Sequence, residues 1–289
     1  ISNRGQAEIK PFAYFQLLRD GNSAAGDSKM VPTYTGAALY TDEVKFRKVS
    51  FEDIEKNKAD YPKHAKDGWI GIVQHYFVAA WLPPPDMARE YYLRPLGNNL
   101  YTAGIIVPAG NLAPGASAQI EMRLYAGPQE QDEMARLAPG LERTVDYGWL
   151  TVIASPLFWV LSAIQKWVGN WGVAIILLTV IIKLIFYPLS AASYKSMAKM
   201  RVLAPKLQKL KEQYGEDRQK MQQAMMEMYK TEKINPLGGC LPIIVQIPVF
   251  ISLYWVLLAS VELRNAPFFG WISDLSAQDP YYILPVLMG

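Results

Sequence analysis

The sequence predicts a multi-domain membrane protein in which an antiparallel β-sandwich precedes an α-helical transmembrane core with a helical hairpin. Three observations carry this. The 289 residues are 51% hydrophobic and 19% charged, but the apolar residues are unevenly spread. Residues 1–147 interleave Lys and Arg with Asp and Glu as a soluble domain does, whereas greasy stretches alternate with one basic stretch from Trp149 onward. Residues 171–189 and 236–260 are apolar runs of about 20 residues, enough for a hydrocarbon core roughly 30 Å thick at about 1.5 Å per residue. Between them, 191–234 repeats its apolar positions at three and four, the helical period.

The β domain is placed at 1–133. "GWIGIVQHYFVAAWLPP" (68–84) is dense in aromatic and β-branched residues and closes on a triple proline. "LYTAGIIVPAGNLAPGASAQIEMRLYAGP" (100–128) reads as two strands around a Gly/Pro/Asn turn. "FEDIEKNKADYPKHAKDG" (51–68) is a polar loop with a short helix at its start. An antiparallel sandwich with no chemistry of its own accounts for this domain. No phosphate-binding loop, dinucleotide fingerprint, zinc-protease helix or serine-hydrolase elbow occurs anywhere in the chain.

Residues 134–170 are a linker and an interfacial helix. "WLTVIASPLFWVLSAIQKWV" (149–168) is apolar but broken by Ser155-Pro156, and Trp149, Trp159, Trp167 and Trp171 crowd it as aromatics do at headgroup level. The alternative is a part of a long tilted span. Transmembrane helices follow at 171–190 and 235–261, the second with Pro242 and Pro248 inside it. Prolines at membrane depth need neighbours or water to satisfy the freed carbonyls, so this helix is expected against protein or lining a cavity. Residues 262–280 form the loop after it, and 281–289 begin a further transmembrane helix. Ile1 has no initiator Met or signal peptide before it, so the sequence is expected to be an excerpt of a longer membrane protein.

Residues 191–234 carry ten Lys/Arg against five Asp/Glu, while 263–279 has only Arg264 against Asp274 and Asp279. The positive-inside rule puts 191–234 in the cytoplasm and the β domain outside. Met200, Leu203, Leu207, Leu210 and Tyr214 form one apolar seam; after the turn "YGED", Met221, Ala224, Met225 and Met228 form the other, giving an antiparallel hairpin. Its methionines suit either hairpin packing or a soft docking surface. Its basic face suits ribosomal RNA, anionic lipid or plain solvent.

Composition excludes several classes. A net charge of +3 is too small to suggest a DNA binder. The single cysteine, Cys240, excludes an intrachain disulfide and a multi-cysteine metal cluster and reads as a packing residue. His64 and His75 are too few for a histidine metal site without carboxylate help, and no cofactor is expected. One residue stands against its surroundings: Lys183, inside "LTVIIKLIFYPL" (178–189). A lysine at mid-bilayer costs roughly 2.5–3.5 kcal/mol on insertion scales. It lies five residues before Pro188, about 7.5 Å of helix rise, so it either snorkels to the headgroups or serves a wet interior.

The block "NWGVAIILLTVIIKLIFYPLSAASYKSMAKMR" and its continuation through "KINPLGGCLPIIVQIPVF" resemble the membrane-protein insertases of the Oxa/YidC/Alb family. The match runs on through "VELRNAPFFGWISDLSAQDPYYILPVLMG", and "GWIGIVQHYFVAAWLPP" resembles the periplasmic domain of Gram-negative members. The resemblance implies a supersandwich-like periplasmic domain, incomplete here, on a multi-pass protein of the bacterial inner membrane. It implies a hydrophilic groove in the inner leaflet, with Thr179, Lys183, Tyr187 and Gln246 on the groove side. Ile247, Phe250 and Leu253 would form the face along which a client slides. The basic groove residue is lysine here, which keeps the charge without the planar fork of arginine. Implied partners are nascent membrane-protein clients, the Sec translocon, the lipid bilayer and, through the basic face, the ribosome. No bond would be made or broken, so the chain is not expected to be an enzyme. A transporter or channel, or an assembly scaffold for the β domain, are the rival classes; the first usually shows inverted repeats, which are not seen.

Overall fold

The structure, a computed structural model, describes residues 1–22, 34–214, 218–231 and 241–288. It divides into two units, Ile1–Gly148 with Leu257–Arg264, and Trp149–Val256 with Asn265–Gly289.

Among the described residues the first unit holds nine strands: β1 (Phe12–Asp20), β2 (Gly36–Thr41), β3 (Lys45–Val49), β4 (His64–Ala65), β5 (Trp69–Gln74), β6 (Phe77–Leu82), β7 (Arg89–Gly97), β8 (Leu100–Pro108) and β9 (Arg123–Pro128). They form two sheets, ordered β1-β8-β7-β4 and β3-β2-β5-β6-β9, and every pairing is antiparallel. Alternate residues meet between the sheets: Ala37, Leu39, Ile70 and Ile72 from one, Tyr91, Leu93, Tyr101, Ala103 and Ile105 from the other. That period of two arises because successive side chains of a strand point to opposite faces of the sheet. The short helix α1 (Phe51–Glu55) starts where the sequence placed it, with the Ser50 hydroxyl accepting from the Asp53 N–H. Gly68 sits at φ +82°, and a Cβ there would lie 1.7 Å from the Tyr40 carbonyl oxygen. Only glycine fits at this close approach.

Two expectations change here. The strands in 100–128 do not pair with each other: β8 lies between β1 and β7, while β9 pairs with β6 in the other sheet. Their connection over 109–122 is a crossover rather than a turn. The unit also runs past 133, the boundary expected from sequence. Helix α2 (Gln131–Leu137) and the 3-10 turns after it bury Met134, Leu141 and Tyr147, and Trp69 Nε1 donates to the Pro139 carbonyl at 2.9 Å. These apolar residues follow the last strand and therefore carry no period-two signal.

The second unit is helical: α3 (Thr151–Val168), α4 (Trp171–Ile185), α5 (Tyr187–Tyr214), α6 (Arg218–Thr231), α7 (Leu241–Ala259) and α8 (Ile283–Met288). Gly169 in the left-handed region ends α3, and Asn170 caps α4 by accepting from the Val173 N–H at 3.1 Å. A Cβ on Gly172 would lie 2.2 Å from Phe268, so the loop after α7 rests directly on the α4 backbone. Among the described residues, α3 with its lead-in (Gly148–Val168) and α7 are each long and apolar enough to cross a membrane. By length and composition 149–168 can cross a membrane as well as lie along its surface.

The span expected at 171–190 is not one straight helix. Helix α4 has 15 residues, about 22 Å of rise, short of the roughly 30 Å hydrocarbon core. It passes only together with Tyr187–Leu203, across a 58° bend. The break falls at Phe186, two residues before Pro188. Proline lacks the N–H that would continue the ladder but is tolerated in the first turn of a new helix, where it stands in α5. Helix α5 thus begins before 191, the expected start of the hairpin. Leu203 is buried, and Met200, Leu210, Met221, Ala224, Met225 and Met228 are half-buried. The side chains of Leu207 and Tyr214, the turn at 215–217 and Cys240 lie outside the described residues.

Candidate functional site

Helix α4 presents its buried stripe, Ala174, Leu178 and Ile182, at helical spacing. Thr179 and Lys183 lie four residues apart, on one face beside that stripe. Thr179 is half-buried, and its hydroxyl donates to the Ile175 carbonyl at 2.8 Å. That back-bond satisfies the hydroxyl within its own helix. Lys183 is exposed in this chain, in the last turn of α4. A cation there is favoured by the carbonyl end of the helix dipole.

Helix α7 meets this face. Lys183 Nζ lies 5.1 Å from the centre of the Phe250 ring. A cation over an aromatic face is worth about 0.5–1 kcal/mol when exposed and about 2 kcal/mol or more when water is excluded. Gln246, one turn earlier on α7, donates from Nε2 to Ser190 Oγ at 3.4 Å. Gln246, Phe250 and Leu253 follow each other at four and three, so they share one stripe of α7; Leu253 is buried, Phe250 half-buried and Ile247 exposed.

The structure thus brings Lys183 together with Phe250, and Gln246 with Ser190. Thr179 stays on its own backbone, and Tyr187, beyond the helix break, is exposed. A sequence separation into groove residues and a sliding face misses that Gln246 and Phe250 share a stripe. It also misses Ser190, which the spacing from Tyr187 could have flagged. Pro248 removes an N–H from the middle of α7, and the Ser252 hydroxyl donates to the Pro248 carbonyl at 2.7 Å. Among the described residues no group of His, Cys, Asp and Glu could hold a metal ion. The arrangement offers a cation and an amide on the apolar helices α4 and α7, beside the Ser190 hydroxyl at the start of the more polar α5.

A β-sandwich unit joined in one chain to apolar helices that carry few polar side chains defines a membrane protein with an extramembrane domain. Two family models match it. The model described as the YidC periplasmic domain covers residues 1–160, more than half of the chain, and the model described as the 60Kd inner membrane protein covers 163–289. The chain belongs to the YidC family. It is 64% identical over 289 residues to a membrane protein insertase YidC of Nitrosospira multiformis, covering 100% of this chain and 51% of the relative. It is likewise 64% identical to that of Methylobacillus flagellatus, covering 52% of the relative. The chain spans about half the length of the curated relatives it matches. Among solved structures, an active YidC insertase with its first transmembrane domain resolved aligns with a TM-score of 0.45 and 22% identity, over 80% of this chain and 52% of that one.

Proposed function

We propose that the whole protein is a membrane-protein insertase that integrates newly made inner-membrane proteins and helps them fold. The observation that carries this is Lys183, a cation in an apolar helix, facing α7 in a chain whose relatives bear the insertase name. A client must bring a polar tail across a bilayer core that holds no water. A wet groove of partial depth, with Thr179, Lys183, Tyr187 and Gln246 along it, shortens the dry path. The fixed positive charge attracts acidic residues of the tail, because Coulomb attraction grows as the local dielectric falls. The client's hydrophobic segment then moves into lipid along Ile247, Phe250 and Leu253. No covalent step is needed, and the protein is not an enzyme in this reading.

In the same reading the chain is multi-pass in the bacterial inner membrane, the β unit is periplasmic and 191–234 is cytoplasmic, as the basic bias of that segment favours. The two sheets belong to a larger sandwich of the supersandwich type, and the hairpin of α5 and α6 projects from the membrane. The Sec translocon and the ribosome join nascent clients and lipid as partners. The test is reconstitution of the full-length protein in liposomes. Integration of a short client supports the insertase; movement of a solute would favour a transporter, and neither activity would favour a scaffold.

A further inference from the structure

The segment 257–264, made of the last residues of α7 and the turn after it, belongs to the β unit. Tyr76, in the turn between β5 and β6, donates its hydroxyl to the Leu258 carbonyl at 2.9 Å, and the Arg264 guanidinium lies 4.0 Å from the centre of the Tyr76 ring. His75 stacks on the same tyrosine with ring centres 3.9 Å apart. The backbone N–H of Gln131, the first residue of α2, donates to Glu262 Oε1 at 3.1 Å. Gln131 Nε2 donates to the Tyr147 hydroxyl at 2.6 Å, and Ser260 hydrogen-bonds the same tyrosine. Glu130, at the N-cap position of α2, makes no side-chain cap bond. Glu262 therefore supplies that cap from more than 130 residues away in the chain.

The cap is a conflicted one. Glu262 Oε2 is withdrawn from solvent with no hydrogen-bond partner among the described residues. Burial pushes the Glu262 carboxyl above its ordinary value, its own backbone N–H and that of Gln131 pull it back, and Glu130 and Asp132 push it up again as like charges. The charged and titratable groups around it are thus Glu130 and Asp132 at the start of α2, Tyr147 behind it, and Arg264 and His75 on Tyr76.

We propose that 257–264 is a clasp by which the β unit fixes the C-terminal end of α7, and that Glu262 is its positioning residue, closing the clasp tightly when neutral and loosening it when ionised. The sign follows from linkage. A carboxyl that binds its proton more tightly in the closed clasp stabilises closure below its ordinary range, and that stabilisation is lost as pH rises through the elevated pKa. The clasp holds the last residues of α7, 257–259, within the β unit and does not depend on the insertase reading.

The test is hydrogen exchange on the full-length protein in phospholipid nanodiscs, read as protection factors at about pH 5 and about pH 8. In the wild type, protection over 257–264 and at the first turn of α2 should fall with rising pH, on the order of tenfold for each unit by which the pKa is elevated. Glu262→Gln should hold the higher protection at both values. Tyr76→Phe should lower it equally at both, since it removes a bond that does not titrate. A flat wild-type profile, an unchanged profile in Glu262→Gln, or lower protection in that variant at the higher pH would overturn the proposal. A protein that shows the expected exchange but inserts no client would sink the insertase reading and leave the clasp standing.

Discussion

Leu39, Ile70 and Ile105 are fully buried between the two sheets, while Ile243, Ile244 and Ile247 on α7 are about half exposed. The residue types are the same and the surroundings are opposite. In β1 and β6 exposure alternates along the strand, while β2 and β5 are buried at nearly every residue, so the sheets enclose their apolar side chains. In α3 and α7 apolar residues cover nearly the whole circumference, which suits lipid as the outer solvent. Trp149, Trp159 and Trp167, exposed at 78%, 72% and 84%, extend that apolar surface along α3. Cations show the same contrast. Arg89 is buried in the β unit and donates to the carbonyls of Met87, Gly68, Lys66 and Pro84, whereas Lys183 has the face of one aromatic ring. One cation is consumed by the fold and the other is left accessible to a visitor.

Substitutions that probe this contrast should differ most in the core. Ile70→Ala should destabilise the β unit by about 3–4 kcal/mol through lost burial and the cavity left behind. Ile244→Ala should cost less than about 0.5 kcal/mol in detergent, because that side chain leaves no cavity in the unit. Both are read by pulse proteolysis of the full-length protein, and equal losses would break the comparison.

Arg89→Met should come next, at about 2–3 kcal/mol, since buried carbonyls lose their donors. Lys183→Met should leave stability unchanged in the same assay. A stability loss at 183 matching that at 89 would make Lys183 a structural residue.

The smallest effects should be equal in the two units and so sharpen what differs. Ser50→Ala and Asn170→Ala each remove a side-chain N-cap and should each cost about 1 kcal/mol, because a cap acts on local backbone whatever the outer solvent. Hydrogen exchange in the first turns of α1 and α4 measures this.

Much of this architecture was legible in the sequence where the signal is local. The short helix at the start of 51–68, the aromatic and β-branched density of 68–84, the apolar runs and the misplaced charge at Lys183 all lie within a few residues of their effects. Features that depend on distant partners were not legible. Nothing in "LYTAGIIVP" and "RLYAGP" says that the two strands join different sheets, because periodicity reports which face is buried but not which strand lies alongside. The break at Phe186 has a local cause in Pro188, yet the same run continues apolar through it, and hydropathy reads straight across. The association of 257–264 with the β unit is carried by Tyr76, Gln131 and Tyr147, more than 100 residues upstream, and no spacing rule joins them. At the site, Lys183 stood out by its charge, while its pairing with Phe250 needed the approach of α7 on α4.

In the proposed insertase, Lys183 would act as an accessible attractor for client charge. That role is tested most directly by insertion assays in the full-length protein, crossing Lys, Arg, Ala and Glu at 183 with clients bearing neutral or acidic tails. Two unit charges roughly 6 Å apart at an effective dielectric near 20 attract by about 3 kcal/mol before solvation losses. A net effect of a fraction of that is about tenfold in insertion rate. Lys183→Arg should be nearly neutral, Lys183→Ala intermediate and Lys183→Glu worst, with the losses concentrated on acidic tails and shrinking when those acids are neutralised. Equal losses for neutral and acidic tails would contradict the account.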